Sequence, residues 1–427
     1  MSLDRVLVGV STPVRRALES ALAGHRLSVD EALPLDRATG ADLHALCLVA
    51  DALRAEQVGD TVTYVVNRNI NFTNVCVKSC KFCAFSRDFR SEAGYFLDLD
   101  EVVRRAVEAS EFGATEVCIQ AGLPPHVDGR MYIDMVAAVH DAVPDLHIHA
   151  LSPEEVKYGA RLARMPYAEY LAELKAAGLG TLPGTSAEIL DDAVRDLLAP
   201  TRIRTAEWVE IVTLAHEVGL RTSSTMMFGH LETGRQRLAH LTLLRDIQRQ
   251  TGGFTEFVPL SFVHTEAPLY ATGEVPGVRP GPTGLEVVRL YAIARLMLGF
   301  DIPNLQASWV KEGLRATQHL LSCGVNDVGG TLINESISTA AGSGHGQRVT
   351  PATLRALILG AGRRPAERST TYAILRRHDG VEGDDRLDTP GVSDDTFGCY
   401  TGLTQDPRFD WKDARERLRR QAMGGEA

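Results

Sequence analysis

Three closely spaced cysteines are the residues of this sequence whose types and spacing most directly indicate chemistry. Cys76, Cys80 and Cys83 follow an apolar, β-branched stretch, with three and then two residues between them. Three thiolates at this spacing can hold three corners of a 4Fe-4S cube. A cluster that only transfers electrons normally has four protein ligands, so a missing fourth ligand leaves one iron free to bind a small molecule. The spacing therefore predicts an open iron–sulfur site.

Two other roles for these cysteines are weaker. A tetrahedral zinc site needs a fourth ligand nearby, and no Cys or His lies between Cys83 and Cys118. A disulfide framework is typical of exported proteins, whereas this chain has 7 cysteines in 427 residues. Residues 1–16 carry charge without the continuous apolar core of a signal peptide. The sequence therefore predicts a cluster in a protein of the reducing cytoplasm.

The composition argues against two classes of partner. Hydrophobic residues make up 44% of the chain, which is enough for a large core, and no apolar run reaches the length of a membrane span. The formal net charge is −10, and no stripe of lysine and arginine stands out. A polyanionic nucleic acid would need such a stripe. We therefore expect neither a nucleic acid nor a membrane as a partner.

Strand-like and helix-like segments alternate between about residues 60 and 335. Helical patterns separate eight apolar runs of strand length, which are 61–66, 116–120, 146–151, 179–183, 221–228, 254–263, 305–310 and 325–332. Eight such units predict an α/β fold, a (β/α)8 TIM-type barrel with a parallel sheet. A doubly wound open sheet is the alternative that the order of the units leaves open.

The same patterns predict four regions of the chain. They are an N-terminal helical cap (1–58), the barrel (59–335), C-terminal helices packed on the barrel (336–377) and an appended polar tail (378–427). In the third region we expect one or two helices over 350–377. In the tail we expect one short charged helix near 411–421.

Ionisable residues near the ends of two strands are candidates for catalysis. His147 and His149 share a face of the third strand, where they either line a pocket or are core residues with satisfied hydrogen bonds. Glu256 lies inside an apolar strand, where a carboxylate is costly unless it is paired or functional. His264 follows at the end of that strand. We therefore expect His149, Glu256 and His264 to be catalytic, with a buried ion pair as the alternative for Glu256.

Longer segments, together with the cysteine spacing, resemble one enzyme family. In order along the chain they are 69–76, 149–156, 183–190, 225–230 and 251–257, and the likeness extends from about residue 60 to 375. The cysteine spacing resembles the radical SAM superfamily, in which S-adenosylmethionine (SAM) chelates the open iron. The segments are similar to its CofH family, the tyrosine-using subunit, or half, of the synthase of 7,8-didemethyl-8-hydroxy-5-deazariboflavin (FO).

The resemblance implies two cofactors and residues that bind them. Cys76, Cys80 and Cys83 would hold a 4Fe-4S cluster, and SAM would be bound by Phe82, Gln120, Gly122, Glu188, Gly229 and Glu232. Related sequences usually have two glycines in the turn after the second strand, and the first of them is Ala121 here. For Glu188 the sequence leaves a second role open, as a capping-box partner of Thr185.

The resemblance also implies a reaction. Reductive cleavage of SAM releases a 5'-deoxyadenosyl radical, which takes a hydrogen atom from L-tyrosine, and the tyrosine Cα–Cβ bond then breaks. The 4-hydroxybenzyl group is transferred to 5-amino-6-(D-ribitylamino)uracil. A CofG-type partner closes the ring of FO, the chromophore of a deazaflavin coenzyme, and an electron donor reduces the cluster.

Three alternatives remain at this point. An aminofutalosine synthase or a related menaquinone-pathway enzyme shares the cluster and barrel, but residues 152–155 and 255–260 favour CofH over it. A CofH paralogue with altered substrate choice is left open by Ala121, Ser261 and the tail. A non-enzymatic iron–sulfur carrier would cleave no SAM, and it would make the SAM-like turns coincidental.

Overall fold

The computed structural model describes residues 3–91 and 93–422. The chain begins with four helices, which are α1 (Leu3–Val8), α2 (Thr12–Leu22), α3 (Val29–Ala32) and α4 (Gly40–Val58), with a 3-10 turn at Leu35–Arg37. Leu18 of α2 and Leu46 of α4 are fully buried in the same hydrophobic cluster as the barrel strands. Arg26 also pairs with Asp301, at 2.7 Å between Nε and Oδ2. These helices therefore pack on the rest of the chain, as the N-terminal cap was expected to do.

Ten strands follow in two sheets. They are β1 (Thr61–Val65), β2 (Asn67–Ile70), β3 (Glu116–Ile119), β4 (His147–Ala150), β5 (Thr181–Leu182), β6 (Arg221–Phe228), β7 (Phe254–Ser261), β8 (Asp327–Gly330), β9 (Arg364–Arg368) and β10 (Ile374–Arg377). β2 to β7 form one six-stranded parallel sheet in sequence order. The other sheet has the order β10-β9-β1-β8, and only β10 runs antiparallel in it.

Isolated bridges join the two sheets into a barrel. Leu305 bridges to Phe257 of β7, and the next residue, Gln306, bridges to Asp327 of β8. On the other side, Arg68 of β2 bridges to Ile333. The TIM-type barrel is therefore confirmed, and the doubly wound alternative is wrong. The expected strand over 305–310 is reduced to these bridges, because a short helix begins at Trp309.

Sixteen further helices surround the described barrel. They are α5 (Leu99–Glu111), α6 (Met131–Ala142), α7 (Pro153–Ala163), α8 (Tyr167–Ala176), α9 (Asp192–Leu198), α10 (Thr205–Glu217), α11 (Gly234–Thr251), α12 (Pro268–Ala271), α13 (Gly284–Leu298), α14 (Trp309–Glu312), α15 (Leu314–Leu320), α16 (Ile337–Ala340), α17 (Pro351–Gly360), α18 (Asp394–Phe397), α19 (Tyr400–Gln405) and α20 (Trp411–Ala422). Side-chain caps fix several starts, such as Ser152 for α7 and Thr283 for α13. None of the helices described here is long and apolar enough to cross a bilayer.

The expectation of helices throughout 350–377 is wrong in its second half. α17 ends at Gly360, and β9 and β10 follow as a hairpin. β9 pairs in parallel with β1, from Thr61↔Arg364 to Tyr64↔Glu367. Residues 364–368 form a strand because they pair with the edge of β1, although this charged segment does not indicate a strand by its own sequence. The boundaries of the four regions stay predictions.

The tail lies against the barrel over the part that the structure describes. The buried Arg355 of α17 pairs with Asp385 and Asp388, and a 3-10 turn occupies Arg386–Asp388. The amide of Asn334 donates to the carbonyl of Gly398 at 2.9 Å. The predicted helix near 411–421 is confirmed as α20, which follows a 3-10 turn at Pro407–Phe409. The last five residues of the predicted tail, 423–427, lie outside the described residues.

Candidate active site

A cavity of about 240 Å³ lies at the C-terminal ends of the barrel strands. All three cysteines of the predicted cluster line it. Four residues of the predicted SAM site line it as well, which are Phe82, Gln120, Gly122 and Glu188. We call this space the upper cavity. The structure thus brings together seven of the nine residues that were expected to bind the cluster or SAM.

The cysteine loop carries the three thiols of the predicted cluster. Among the described residues, no group of three or more His, Cys, Asp or Glu side chains is close enough to hold one metal ion. A mononuclear zinc site needs its ligands to converge on one point, whereas each cysteine of a cubane binds a different iron. Backbone bonds hold the loop, since Cys76 N–H donates to Arg87 O at 3.0 Å and Cys83 N–H to Cys80 O at 3.1 Å. Three cysteines that line one cavity, with no fourth cysteine among its described lining residues, are the donor set that a 4Fe-4S cluster with one open iron would use.

Arg202 is a residue of the upper cavity that the sequence analysis missed. Its guanidinium pairs with Glu188 at 3.0 Å and with Glu154 at 3.7 Å, and it lies 5.7 Å from the ring centroid of Phe82. Burial raises the pKa of the Cys80 thiol to about 12, and the charge of Arg202 acts in the opposite direction. Arg202 therefore supplies positive charge beside thiols that must lose their protons to bind iron.

The turn after β3 approaches the cysteine loop closely. Gly122 N–H donates to Thr73 O at 2.9 Å, and a Cβ atom on Gly122 would lie 2.2 Å from the carbonyl oxygen of Val75. Only glycine fits this approach without a shift of the backbone. The side chain of Gln120, two residues earlier, donates to the hydroxyl of Thr185 after β5. The turn is therefore fixed to both neighbouring loops.

Glu155 holds the other side of that turn. Its carboxylate accepts the N–H of Ala121 at 3.0 Å and the N–H of Ser152 at 2.7 Å. Ser152 is the N-cap of α7 and Pro153 its first residue. Burial raises the pKa of Glu155 to about 7, against the effect of these hydrogen bonds. Related sequences usually have a glycine where this chain has Ala121. The backbone N–H of Ala121 is therefore bound by the Glu155 carboxylate in spite of that difference.

Glu188 faces the upper cavity, and its alternative capping role is wrong. The next helix, α9, begins four residues later and is capped by Asp191. Glu188 instead has a positive φ of 41°, and its carbonyl accepts the N–H of Met227 at 2.9 Å. Its carboxylate pairs with Arg202. Ribose binding by Glu188 stays a prediction.

Gly229 and Glu232 meet in a turn after β6. Gly229 has a φ of 90°, and its N–H donates to Glu232 Oε1 at 2.8 Å. The Glu232 carboxylate is fully buried and pairs with Arg237 at 2.8 Å and with Arg279 at 3.2 Å. Burial acts to raise the pKa of Glu232, but the neighbouring His230, the N–H of Gly229 and the guanidinium of Arg237 together lower it. Glu232 therefore holds the shape of this turn, and Met227 of β6 is one of the residues that line the upper cavity.

A second space of about 240 Å³ lies inside the barrel and contains the catalytic candidates His149 and Glu256. We call it the lower chamber. It shares five wall residues with the upper cavity, which are Gln120, Thr185, Leu260, Lys311 and Ile337. The two spaces therefore adjoin, and a molecule in the lower chamber would lie next to one in the upper cavity.

His149 is a neutral residue of the lower chamber. Burial lowers its pKa to about 4, so the imidazole carries no charge near neutral pH. His149 Nδ1 lies 2.7 Å from the hydroxyl of Thr181, and His147 Nε2 lies 2.8 Å from the same hydroxyl. His147 and His149 thus contact the same residue, as expected for alternate positions of one strand.

Glu256 is both a chamber residue and a member of a buried network. Its carboxylate accepts the hydroxyl of Tyr372 and lies 3.4 Å from Arg368 Nη2. Arg368 also pairs with Asp327, at 2.5 Å between Nε and Oδ2. Burial raises the pKa of Glu256 to about 7. The two roles weighed from the sequence, pocket residue and paired residue, therefore both apply.

His264 lies apart from the other two catalytic candidates. It lines a pocket of about 390 Å³ together with Glu312 and His345, and its ring is 4.8 Å from that of Tyr270. The structure therefore does not bring His264 together with His149 and Glu256, and its catalytic role stays a prediction.

Comparisons with known proteins agree with this arrangement. The model of the radical SAM superfamily matches residues 70–244, and the model described as the CofH/MqnC C-terminal region matches residues 251–379. Among solved structures, the FeFe-hydrogenase maturase HydG from Carboxydothermus hydrogenoformans is 16% identical with a TM-score of 0.66, and the match covers 87% of this chain and 86% of that one. At that identity the likeness supports the fold alone.

Relatives of known name are much more similar in sequence. An FO synthase of Mycobacterium tuberculosis is 50% identical over 86% of this chain, but the chain spans only 42% of that protein's length. Two shorter relatives are named 5-amino-6-(D-ribitylamino)uracil–L-tyrosine 4-hydroxyphenyl transferase. The one from Methanothermobacter thermautotrophicus is 46% identical over 86% of this chain and 98% of its own length. The one from Methanocaldococcus jannaschii is 50% identical over 76% of this chain and 91% of its own length.

Proposed function

We propose that this chain, which belongs to the CofH family of the radical SAM superfamily, transfers the 4-hydroxybenzyl group of L-tyrosine to 5-amino-6-(D-ribitylamino)uracil. The observation that carries the proposal is the near-complete coverage of two relatives named for these two compounds, 98% of one and 91% of the other. A three-cysteine cavity that adjoins a polar chamber supports it, because this reaction needs a radical source beside a substrate site.

In this proposal Cys76, Cys80 and Cys83 hold the 4Fe-4S cluster, and the upper cavity holds SAM. When bound, the cluster and SAM supply the radical that takes a hydrogen atom from tyrosine. Arg202 balances negative charge at the cysteines. The turn at Gly122 lines part of the upper cavity with backbone groups.

The lower chamber is the proposed site for tyrosine and the uracil. His149 is neutral and offers a hydrogen-bonding ring without charge. Glu256, whose pKa is about 7, is able to exchange a proton near neutral pH, which suits a general acid or base. A position inside the barrel would limit the access of water to a reactive carbon radical.

Two further participants are proposed from the chemistry of the reaction and not from contacts in the structure. An electron donor must reduce the cluster, and a CofG-type partner would close the ring of FO. The FO synthases that this chain matches are more than twice its length, which leaves room in them for a second enzyme. We further propose that the reaction takes place in the reducing cytoplasm, where cysteines stay as thiols.

The test is an anaerobic assay of the reconstituted protein. SAM, dithionite, L-tyrosine and 5-amino-6-(D-ribitylamino)uracil are added, and mass spectrometry follows 5'-deoxyadenosine and a hydroxybenzyl–uracil adduct. We expect both products from the wild-type chain. Cys80→Ser should abolish both, whereas Cys399→Ser, at an exposed position of the tail, should retain both.

Other outcomes separate the alternatives. Deoxyadenosine without the adduct would contradict the proposed substrates and would favour a paralogue or a menaquinone-pathway enzyme. Neither product from a protein with an intact, reducible cluster would overturn the enzyme assignment and favour an iron–sulfur carrier.

A further inference from the structure

Lys311 is a cation at the junction of the two cavities. It belongs to α14 and lines both the upper cavity and the lower chamber. Within the part of the chain that the structure describes, its ammonium group takes part in no hydrogen bond or ion pair. Burial lowers its pKa, and the charges of Glu335 and Glu312 act in the opposite direction. Removing an ammonium group from water is costly without a partner, so its surroundings suit an anionic ligand.

Two acceptors line the same chamber. The side-chain oxygen of Asn69 is buried and has no hydrogen-bond partner among the described residues. The amide of Asn69 donates to Glu335 Oε2 at 3.2 Å. Glu335 also accepts the N–H of Ser338 at 2.6 Å, so its carboxylate is fixed in place. A buried acceptor beside a fixed carboxylate suits a ligand that donates hydrogen bonds and carries positive charge.

We propose that Lys311 binds the carboxylate of the amino-acid substrate, while Asn69 and Glu335 bind its ammonium group. The inference rests on the proposed function and adds to it the residues that hold the zwitterionic end of tyrosine. If SAM chelates the open iron, as the resemblance to the radical SAM superfamily implies, Lys311 is left for the substrate. An amino acid held in this way would lie at the boundary of the two cavities, with its side chain in the lower chamber.

The test is ligand binding without turnover. Equilibrium dialysis is done anaerobically on protein that contains the oxidised cluster and SAM. Three labelled ligands are compared, which are L-tyrosine, tyramine (no carboxylate) and 3-(4-hydroxyphenyl)propanoate (no ammonium). Lys311→Met should lower the affinity for L-tyrosine and for the propanoate by roughly 10- to 100-fold, the range for one charged hydrogen bond. The same variant should change the affinity for tyramine by less than about twofold, because tyramine has no carboxylate that Lys311 could contact.

Three further variants sharpen the test. Lys311→Arg keeps the charge and should bind L-tyrosine within about tenfold of the wild type. Asn69→Ala should lower the affinity for L-tyrosine and for tyramine, which have an ammonium group, but not the affinity for the propanoate, which has none. Lys175→Met is the matched control, since Lys175 is exposed and donates to the carbonyl of Val218, and it should change no affinity. Iron content and melting temperature confirm that each variant is folded.

Several outcomes would overturn the inference. Equal weakening of all three ligands by Lys311→Met would indicate a structural role. A loss of SAM affinity with unchanged L-tyrosine affinity would assign Lys311 to the SAM carboxylate. Unchanged affinities in Lys311→Met, in a protein whose wild type binds L-tyrosine and forms the adduct, would overturn this inference alone. A wild type that binds no L-tyrosine in the presence of both cofactors would overturn the proposed function as well.

Discussion

Glu155 accepts the backbone N–H of Ala121 at 3.0 Å, so one carboxylate joins the helix that follows β4 to the turn that follows β3. The same carboxylate accepts the N–H and hydroxyl of Ser152, which starts α7. The turn in question forms part of the upper cavity. The shape of the proposed SAM site therefore depends on a buried acid.

Glu155→Gln should change how stability depends on pH. The pKa of Glu155 is about 7 in the folded protein, against an ordinary value near 4.5. Between these values the folded chain keeps a proton that the unfolded chain has lost. The free energy of unfolding of the wild type should therefore fall as the pH rises through this window, by about 3 kcal/mol at most.

The measurement is denaturant unfolding of the cluster-free protein at pH 5 and pH 7.5. The variant has no acid at this position, so the stability difference between wild type and variant should shrink from pH 5 to pH 7.5. A constant offset is expected in addition, because glutamine offers only one acceptor oxygen. Glu210→Gln, at an exposed position of α10, is the control. A difference that stays the same at both pH values would contradict the prediction.

Gly122→Ala should disable the upper cavity while the fold survives. The new Cβ atom would lie 2.2 Å from the carbonyl oxygen of Val75, next to the first cluster cysteine. Backbone must move to relieve this contact, so we expect SAM affinity and deoxyadenosine formation to fall at least about tenfold. Gly284→Ala is the matched control, because a Cβ atom there meets nothing within 4 Å. Wild-type SAM affinity in Gly122→Ala would contradict the argument.

The barrel and the cysteine site could be predicted because their signals are local. Seven of the eight predicted apolar runs contain a strand of the barrel, and the cysteine spacing marks the cluster loop. The capping box at Ser152 and the helix near Trp411 are equally local patterns. Parallel barrels gather the C-terminal ends of their strands at one face. The family resemblance implied that Gln120 and Glu188 belong to the SAM site, and this rule explains why the structure places them in one cavity with the cysteines.

The missed residues depend on partners far away in the sequence. Arg368 lies in a hairpin that forms because the edge of β1 accepts β9, and its partners Asp327 and Glu256 belong to β8 and β7. Arg202 likewise meets the cysteines only through the fold. Non-glycine residues with positive φ at strand ends, such as Leu151 and Leu332, form no sequence pattern at all. Such backbone conformations are maintained by the surrounding structure and often occur at functional sites.

Arg202→Met should lower the midpoint potential of the cluster. The reduced cluster carries one more negative charge, and Arg202 is a buried cation whose charge acts on Cys80 and Cys76. Its loss should disfavour reduction by on the order of 50 mV, close to a tenfold change for one electron. A redox titration followed by electron paramagnetic resonance measures this shift.

Two variants show whether charge is the cause. Arg202→Lys keeps a cation and should retain most of the potential, although it loses the planar contact with Phe82. Arg130→Met removes an exposed cation and should not change the potential. A potential that is the same in Arg202→Met and the wild type would show that Arg202 serves only to pair with Glu154 and Glu188.

Trp411→Ala should loosen the cluster loop through the tail. Trp411 is buried against Val75, the residue before Cys76, and its indole N–H donates to Phe89 O at 2.8 Å. Truncating a buried tryptophan costs about 3–5 kcal/mol of packing, which is enough to release a short helix such as α20. We therefore expect an iron chelator to extract iron several-fold faster, and a protease to cut the tail sooner, than in the wild type. Arg420→Ala, at an exposed position of the same helix, should behave like the wild type. Equal rates of iron loss in Trp411→Ala and the wild type would show that the cysteine loop keeps its geometry without the tail.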